Sequence, residues 1–333
     1  MKAVHPQSPA LDFGGVPTWL GALLLAYGEW TLWAILFARG FSTGWLWAIV
    51  LGLLGVLGTR LLVAAVVLVL ARPSWREAPP EVRMSPGQAL RLFVREYGQF
   101  LLAALVRLPF PWLFRSRGDR ALARGEGLAV PPGARVVLLQ HGYLNNGAVW
   151  WRMVRALEAA GHVVFTIDQP LYGPIEAYAD RLAIRIDAVL GATGRTQLTL
   201  IGHSMGGLII RSYLARYGAQ KVDRVLTIGS PHHGSRLAFL ALGENGRQMR
   251  PGSAFLGALN ATALPTGVPF LSLWSWHDTL VLPPTSSRLA GAEERTLAGL
   301  GHVTQPGAVE VHAVVLDWLR ANSAASASTD GQS

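Results

Sequence analysis

The chain has 333 residues, room for one large domain and something more, and at 51% hydrophobic and 15% charged it is too apolar to be wholly an ordinary soluble protein. Its net charge of +9 is nearly all arginine, Lys2 and Lys221 being the only lysines. No helix-turn-helix, zinc-ligand or aromatic-plus-basic strand pattern accompanies that charge, which argues against nucleic acid and for an anionic membrane surface as partner. Absence of cysteine excludes disulfides, thiolate nucleophiles and cysteine-ligated metals.

Residues 1–16 are a Pro- and Gly-containing lead without periodicity. Pro17 to Ala38 is an apolar run of about the 20 residues a membrane-spanning helix needs. A cleaved signal peptide would want a basic n-region and a small-residue cleavage site, and only Lys2 and an Ala-rich interior are offered. After a tight link, Arg39 to Gly44, a second span runs from Trp45 to Ala71, so residues 17–71 read as a transmembrane hairpin of two helices, 17–38 and 45–71. Arg72, Arg76, Arg83, Arg91 and Arg95 follow the second span whereas the link holds only Arg39, which puts both termini and the domain that follows in the cytoplasm. Trp19 and Trp75 fall at one interface and Trp45 and Trp47 at the other, as aromatic belts do. Arg60 lies mid-span at a cost of about 2.5 to 3.5 kcal/mol on insertion scales, and Glu29 is the one acid available to it. Counted from the link, the two differ in depth by roughly 9 Å, which long side chains close only in part. Snorkelling, a structural pair or a polar intramembrane site are the readings open to them.

Residues 72–127 read as a linker. Pro73 to Pro86 is rich in Pro and Arg, and from Gly87 to Leu108 the residues Leu90, Phe93, Val94, Tyr97, Leu101, Ala104 and Leu108 recur at helical spacing opposite Arg91, Arg95, Glu96 and Gln99. This amphipathic helix, 87–108, either lies in the bilayer interface or packs on the following domain. Pro109 and Pro111 stop it, and Arg115 to Gly127 is a charged, Gly-containing loop at a domain boundary.

From residue 128 to 321 strands and helices alternate, the pattern of an α/β domain with a mostly parallel sheet of about six strands covered on both faces. The strands fall at residues 135–140, 163–167, 198–201, 222–228, 268–274 and 295–297, with helices at 148–160, 175–190, 208–217 and 309–319. A Ser- and Ala-rich tail, 322–333, reads as disordered.

Within that domain the third strand runs into Gly202-His203-Ser204-Met205-Gly206 and then into a helix-period pattern. A serine at such a sharp turn presents its Oγ at the carboxyl edge of the sheet, and the flanking glycines remove Cβ atoms that would clash. A serine hydroxyl needs a base to take its proton and a third group to hold the base's tautomer. Asp278 after the fifth strand and His302 after the sixth supply acid and base in the chain order Ser, Asp, His; Asp168 is the rival acid, disfavoured because it precedes the serine. Developing charge on the substrate oxygen needs donors. Met205 offers one backbone N–H by position, and Tyr143, in the loop after the first strand, a second. His203 reads as a packed neighbour rather than a second base.

Gln140-His141-Gly142-Tyr143, the GHSMGG stretch, Gly229-Ser230-Pro231-His232-His233-Gly234 and the Asp278 and His302 loops together resemble the α/β-hydrolase lipases and esterases, most nearly the bacterial triacylglycerol-lipase-like group, over roughly residues 135–320. The resemblance implies an α/β-hydrolase fold with no cofactor, and a variable lid over the acyl pocket at residues 235–267. No strand before Arg135 supplies the first two of a full eight-stranded sheet, and no calcium-binding carboxylate cluster is evident, so no metal is carried over. The expectation is a membrane-anchored serine esterase or lipase of a bacterial inner membrane, hydrolysing esters of apolar acyl chains. An acyltransferase using the same triad, or a membrane-bound scaffold without catalysis, are the alternatives.

Overall fold

The computed structural model describes residues 17–40 and 44–327, those from 321 onward by backbone alone. The expected N-terminal lead, part of the link between the two spans and the last six residues lie outside the described residues. Helices α1 (Thr18–Gly40) and α2 (Trp45–Ala71) pack along each other, and Trp30 Nε1 donates to the Ile49 carbonyl at 3.1 Å. Both are long and apolar enough to cross a membrane, and their Leu and Val side chains are mostly exposed. Arg60 forms a direct ion pair with Glu29. Because α1 runs on to Gly40, the two residues lie about 6 Å apart in depth, within reach of an arginine.

The segment after α2 does not hang free. Two short 3₁₀ turns, Arg72–Glu77 and Pro80–Val82, lead to α3 (Pro86–Leu102), whose start is fixed by a capping box between Ser85 and Gln88. Trp75 Nε1 donates to the Asp278 carbonyl at 3.0 Å, and Arg236 donates to Ser74 Oγ at 2.7 Å. Trp75, Ala71 and Leu92 bury a small apolar cluster against Leu282. Of the two placements open to the amphipathic helix, contact with the domain is observed, but not through the apolar stripe. Leu92 and Glu96 are buried, whereas Leu90 and Val94 stay 62% and 59% exposed. The other flank of α3 meets α2, where Tyr97 Oη donates to the Leu57 carbonyl at 3.0 Å.

Residues 117–123, expected as loop, form α4 (Arg117–Ala123), capped by Ser116. Asp119 holds it in place, accepting from Thr166 Oγ1 at 2.8 Å and pairing with Arg185 at 2.5 Å. These partners lie far along the chain, so no local pattern announces the helix.

Beyond α4 the strands alternate with helices: β1 (Val136–Gln140), α5 (Trp151–Ala159), β2 (Val163–Ile167), α6 (Ile175–Thr193), β3 (Leu198–His203), α7 (Met205–Tyr217) and β4 (Val222–Ile228). The expected lid region holds two short helices, α8 (Gly243–Gln248) and α9 (Ala254–Ala261). After it come β5 (Phe270–Ser275), β6 (Glu293–Leu297) and α10 (Val309–Ala327), the last extending six residues into the stretch expected to be disordered. The sheet is parallel throughout, in the order β2-β1-β3-β4-β5-β6. Alternate residues of β1 face opposite cores, as the two-residue strand period requires. Val136 and Leu138 join Ile186, Leu200 and Leu208 on the α6/α7 side, and Val137 and Leu139 join Trp150, Leu157 and Trp318 on the α5/α10 side. Covering both faces makes the strands continuous apolar runs. The edge strand β6 departs from this, with Glu293 and Glu294 exposed, which blunts an open edge.

Strand order reverses between β1 and β3, so the chain leaves the carboxyl ends of these neighbours in opposite directions and opens a crevice there. Residues 141–145 and Ser204 border that crevice, while Asp278 and His302 follow β5 and β6 at the same edge.

Candidate active site

The last residue of β3, His203, pairs with Ile228, and the backbone then breaks sharply. Ser204 has φ 58° and ψ −130°, its N–H donates to the Ile228 carbonyl at 2.9 Å, and α7 begins at once. A side chain at positive φ is strained and persists only where the surroundings impose it. Here they do. A Cβ on Gly202 would sit 2.7 Å from the Gly206 carbonyl carbon, and one on Gly206 would overlap the Gln140 carbonyl oxygen of β1. The two glycines are therefore demanded by the approach of α7 to β1 and β3.

Asp278 and His302 meet as an ion pair, His302 Nδ1 lying 2.9 Å from Asp278 Oδ2. Both are almost fully buried. Asp278 Oδ1 accepts the N–H groups of Leu280 and Val281, each at 2.8 Å, and Oδ2 accepts Gln305 Nε2 at 2.7 Å. Burial alone lowers the pKa of His302, but the charge and hydrogen bond of Asp278, with a further contribution from the charge of Glu96, outweigh it and raise the pKa above the ordinary histidine value. Asp168, the rival acid, accepts Gly147 N–H at 2.6 Å and holds the loop after β1 instead.

His203 packs its ring 4.6 Å from that of His302 and donates from Nε2 to the His302 carbonyl at 3.2 Å. Burial, then the neighbouring His302, hold its pKa well below the ordinary value, so it is a neutral spacer between the elbow and the histidine loop. His302 thereby lies beside the residue preceding Ser204. Among the described residues Ser204 and His302 are not joined by a hydrogen bond, and such bonds commonly tighten only when substrate is bound.

The loop after β1 is locked by side chains that the sequence pattern had left without a role. His141 Nδ1 donates to the Gly142 carbonyl at 2.8 Å and its Nε2 accepts Gln169 N–H at 2.9 Å, while Gln169 Nε2 donates to Gln140 Oε1 at 3.0 Å. Among the described residues neither the N–H of Tyr143 nor that of Met205 donates to a protein acceptor. The Tyr143 hydroxyl reaches away, donating to the Leu242 carbonyl at 2.8 Å and accepting Leu242 N–H at 2.9 Å, which braces the segment that carries exposed Phe239, Leu240 and Leu242. Also unforeseen are Gln305 on Asp278, Trp75 on the Asp278 backbone and Glu96 on the residues that follow Asp278 and His302. The one local hint of the last is Gly301, where a Cβ would overlap the Glu96 side chain. Among the described residues no group of three or more His, Asp or Glu side chains is placed to hold a metal ion.

An open parallel sheet whose third strand turns sharply into a serine, with a His–Asp pair delivered to the same edge, is the architecture of an α/β hydrolase. The chain belongs to the alpha/beta hydrolase fold family, whose model matches residues 135–305, about half of the chain. It is 37% identical over 112 residues to proteins named triacylglycerol lipase from Pseudarthrobacter phenanthrenivorans and Burkholderia plantarii, a match covering 31% of this chain and 34% and 31% of those proteins. It is 36% identical over 99 residues to a pimeloyl-[acyl-carrier protein] methyl ester esterase of Vibrio campbellii, covering 29% of this chain and 37% of that one. The chain thus spans about a third of the length of these relatives. In fold it is similar to the mature form of a Bacillus licheniformis lipase (TM-score 0.52, 18% identity, 57% of this chain and 93% of that one). A similar likeness holds to Aspergillus fumigatus lipase B (TM-score 0.52, 18% identity, 66% of this chain and 61% of that one).

Proposed function

We propose that this protein is a membrane-anchored serine hydrolase of carboxylic esters with apolar acyl chains. The observation that carries the reading is the convergence at one sheet edge of Ser204 at positive φ with the buried His302–Asp278 pair. In the mechanism, Ser204 Oγ attacks the ester carbonyl while His302 Nε2 takes its proton, and Asp278 holds His302 in the tautomer with Nδ1 protonated and stabilises the imidazolium that forms. The N–H groups of Tyr143 and Met205 receive the oxyanion. His302 returns the proton to the leaving alcohol, the acyl-enzyme forms, and water activated by the same histidine releases the acid.

The relatives named lipases and esterases support an ester substrate, and the exposed apolar side chains Leu144, Tyr172, Phe239, Leu240 and Leu242 near Tyr143 favour an apolar acyl chain. Two observations favour a retained anchor over a cleaved leader. Thr18 Oγ1 donates to the Gln169 carbonyl at 3.0 Å and Trp19 packs edge-on against Trp112 at 6.1 Å, so α1 is tied to the domain it would leave. Arg60 and Glu29 neutralise each other between the helices, which removes the principal charge cost of inserting them as a hairpin. In this reading residues 17–71 are the anchor, 128–321 the hydrolase domain and 235–267 its lid, and the arginines after α2 favour a cytoplasmic domain.

The test is fluorophosphonate labelling of the full chain in detergent beside Ser204→Ala, followed by a p-nitrophenyl ester series of rising chain length. Labelling lost in the variant, with hydrolysis rising toward longer chains, is expected. Labelling with acyl transfer to an added alcohol in preference to water makes the protein an acyltransferase, and no labelling of folded wild-type protein removes Ser204 from its role.

A further inference from the structure

Glu96 is a carboxylate on α3, outside the segment that matches the hydrolase family, yet its side chain is buried, and the four hydrogen bonds it accepts all come from the loops that carry Asp278 and His302. Oε2 accepts Thr279 Oγ1 at 2.8 Å and Val303 N–H at 3.2 Å; Oε1 accepts Thr304 N–H at 2.7 Å and also the Thr304 hydroxyl. Thr279 follows Asp278, and Val303 and Thr304 follow His302. Thr279 Oγ1, with its proton given to Glu96, accepts the His302 backbone N–H at 3.1 Å. One side chain thus joins the acid loop to the base loop, and Gly301 leaves the space it occupies.

The arrangement is specific to a carboxylate. Two of the four donors are backbone N–H groups, which cannot reverse direction, so an amide in place of the carboxylate turns its NH₂ toward at least one fixed donor. Burial raises the pKa of Glu96, against which the bonds from Thr304, Thr279 and Val303 act to lower it. A group so placed would be expensive to bury for stability alone, and an apolar residue would fill the space at less cost.

We infer that Glu96 is a positioning residue for the proposed reaction, fixing the His302 loop against Asp278 and adding a second negative charge behind the histidine. The inference rests on the reading of Ser204, His302 and Asp278 as the reacting set. It makes α3 part of the active site rather than part of a tether, since the helix that Tyr97 and Leu92 hold against α2 also carries the carboxylate that bonds the His302 loop.

The charged and titratable groups around this point are few. Asp278 pairs with His302, Glu96 bonds the residues that follow it, and the His203 ring lies against it at a tilt; His277, whose Nδ1 accepts Gly299 N–H, is held to a pKa of about 4 by burial and stays neutral. On α3 the neighbouring Arg95 turns outward to Glu310. Removing the Glu96 charge therefore acts on His302 with nothing to replace it.

The experiment compares wild type, Ser204→Ala, Glu96→Gln, Thr279→Val and the double variant Glu96→Gln/Thr279→Val, as full chains in detergent, by kcat and KM across pH with a p-nitrophenyl ester and by thermal unfolding. Glu96→Gln is expected to lower kcat about 10- to 100-fold with KM little changed. The acid limb of kcat/KM should move to lower pH. Thr279→Val should lower kcat without moving that limb, and the double variant should lose no more than the worse single one. Wild-type kcat in Glu96→Gln, or a loss that follows thermal stability with the limb unmoved, overturns the inference. If Glu96→Gln does not fold, unchanged kcat in Thr279→Val overturns it. Activity surviving in Ser204→Ala overturns instead the reading on which it rests.

Discussion

His302 Nδ1 lies 2.9 Å from Asp278 Oδ2, and the same oxygen accepts Gln305 Nε2 at 2.7 Å while Oδ1 is taken by the N–H groups of Leu280 and Val281. Every direction around this carboxylate is a donor. In Asp278→Asn the amide oxygen must take the place of Oδ1 to satisfy the two fixed N–H groups, which puts NH₂ in the place of Oδ2, the partner of Gln305 and the nearer oxygen to His302 Nδ1, at 2.9 Å against 3.0 Å for Oδ1. His302 then accepts at Nδ1 and carries its proton on Nε2, where it cannot receive one from Ser204. The expected outcome is a fall in kcat of about 10⁴-fold with folding retained, the magnitude a misplaced tautomer gives in a Ser-His-Asp protease. Steady-state kinetics beside a thermal melt check it.

The raised pKa of His302 sets two pH dependences of opposite sign. As the proposed base the ring must be neutral, so kcat/KM should fall as pH drops through a midpoint above the ordinary histidine value of about 6.5. For stability the protonated ring is the one that Asp278 and Glu96 favour. That contribution is fully present below the unfolded histidine value and is lost as pH rises through the raised folded value. Between these values the protein should trade stability for activity as pH increases. A kcat/KM profile with its acid midpoint below 6.5 would contradict this, as would a melting temperature that rises with pH across the window and that Asp278→Asn leaves unaltered.

The sheet and the serine turn were legible because their signals are local. Mostly apolar runs mark β1, β3, β4 and β5, and Gly202, Ser204 and Gly206 carry the steric requirement of the turn in five residues. What escaped is held by partners distant in sequence. α4 depends on Asp119 finding Thr166 and Arg185, and α3 buries Glu96 among Thr279, Val303 and Thr304, more than 180 residues away. A periodicity argument assigns the buried face of a helix by hydrophobicity, so it turned the apolar stripe of α3 inward and Glu96 outward. The structure reverses this at Leu90, Val94 and Glu96 because two different surfaces, α2 and the histidine loop, compete for the helix. The offset between Glu29 and Arg60 is smaller than the apolar run alone implies because α1 outruns that run by two residues.

In the proposed reaction Tyr143 separates two roles on one residue. Its N–H would receive the oxyanion, while its hydroxyl bonds the Leu242 backbone in both directions and packs near Tyr172, ring centroids 6.4 Å apart. Tyr143→Phe keeps the backbone donor and releases the segment carrying Phe239, Leu240 and Leu242. The expected result is kcat within about threefold of wild type on short p-nitrophenyl esters, with KM raised for long ones as the bracing of two hydrogen bonds, about 1 kcal/mol each, is lost. A large fall in kcat on acetyl and butyryl esters would place the hydroxyl itself in the chemistry.

Glu29 and Arg60 form the ion pair between α1 and α2, with side chains only 19% and 15% exposed. Removing one partner leaves the other charge in an apolar setting, at about 2.5 to 3.5 kcal/mol for a mid-span arginine on insertion scales. Removing both leaves two apolar surfaces and no charge to desolvate. Glu29→Leu should therefore lower the yield of folded, membrane-extracted protein, and Glu29→Leu/Arg60→Leu should recover it, with hydrolysis per folded molecule unchanged in the double variant because neither residue approaches the sheet edge. The check is membrane fractionation with detergent extraction, followed by thermal unfolding of the extracted chains. If the double variant folds no better than Glu29→Leu, the pair has a role beyond neutralising charge. If both variants behave as wild type and partition to the soluble fraction, the two helices are not an anchor.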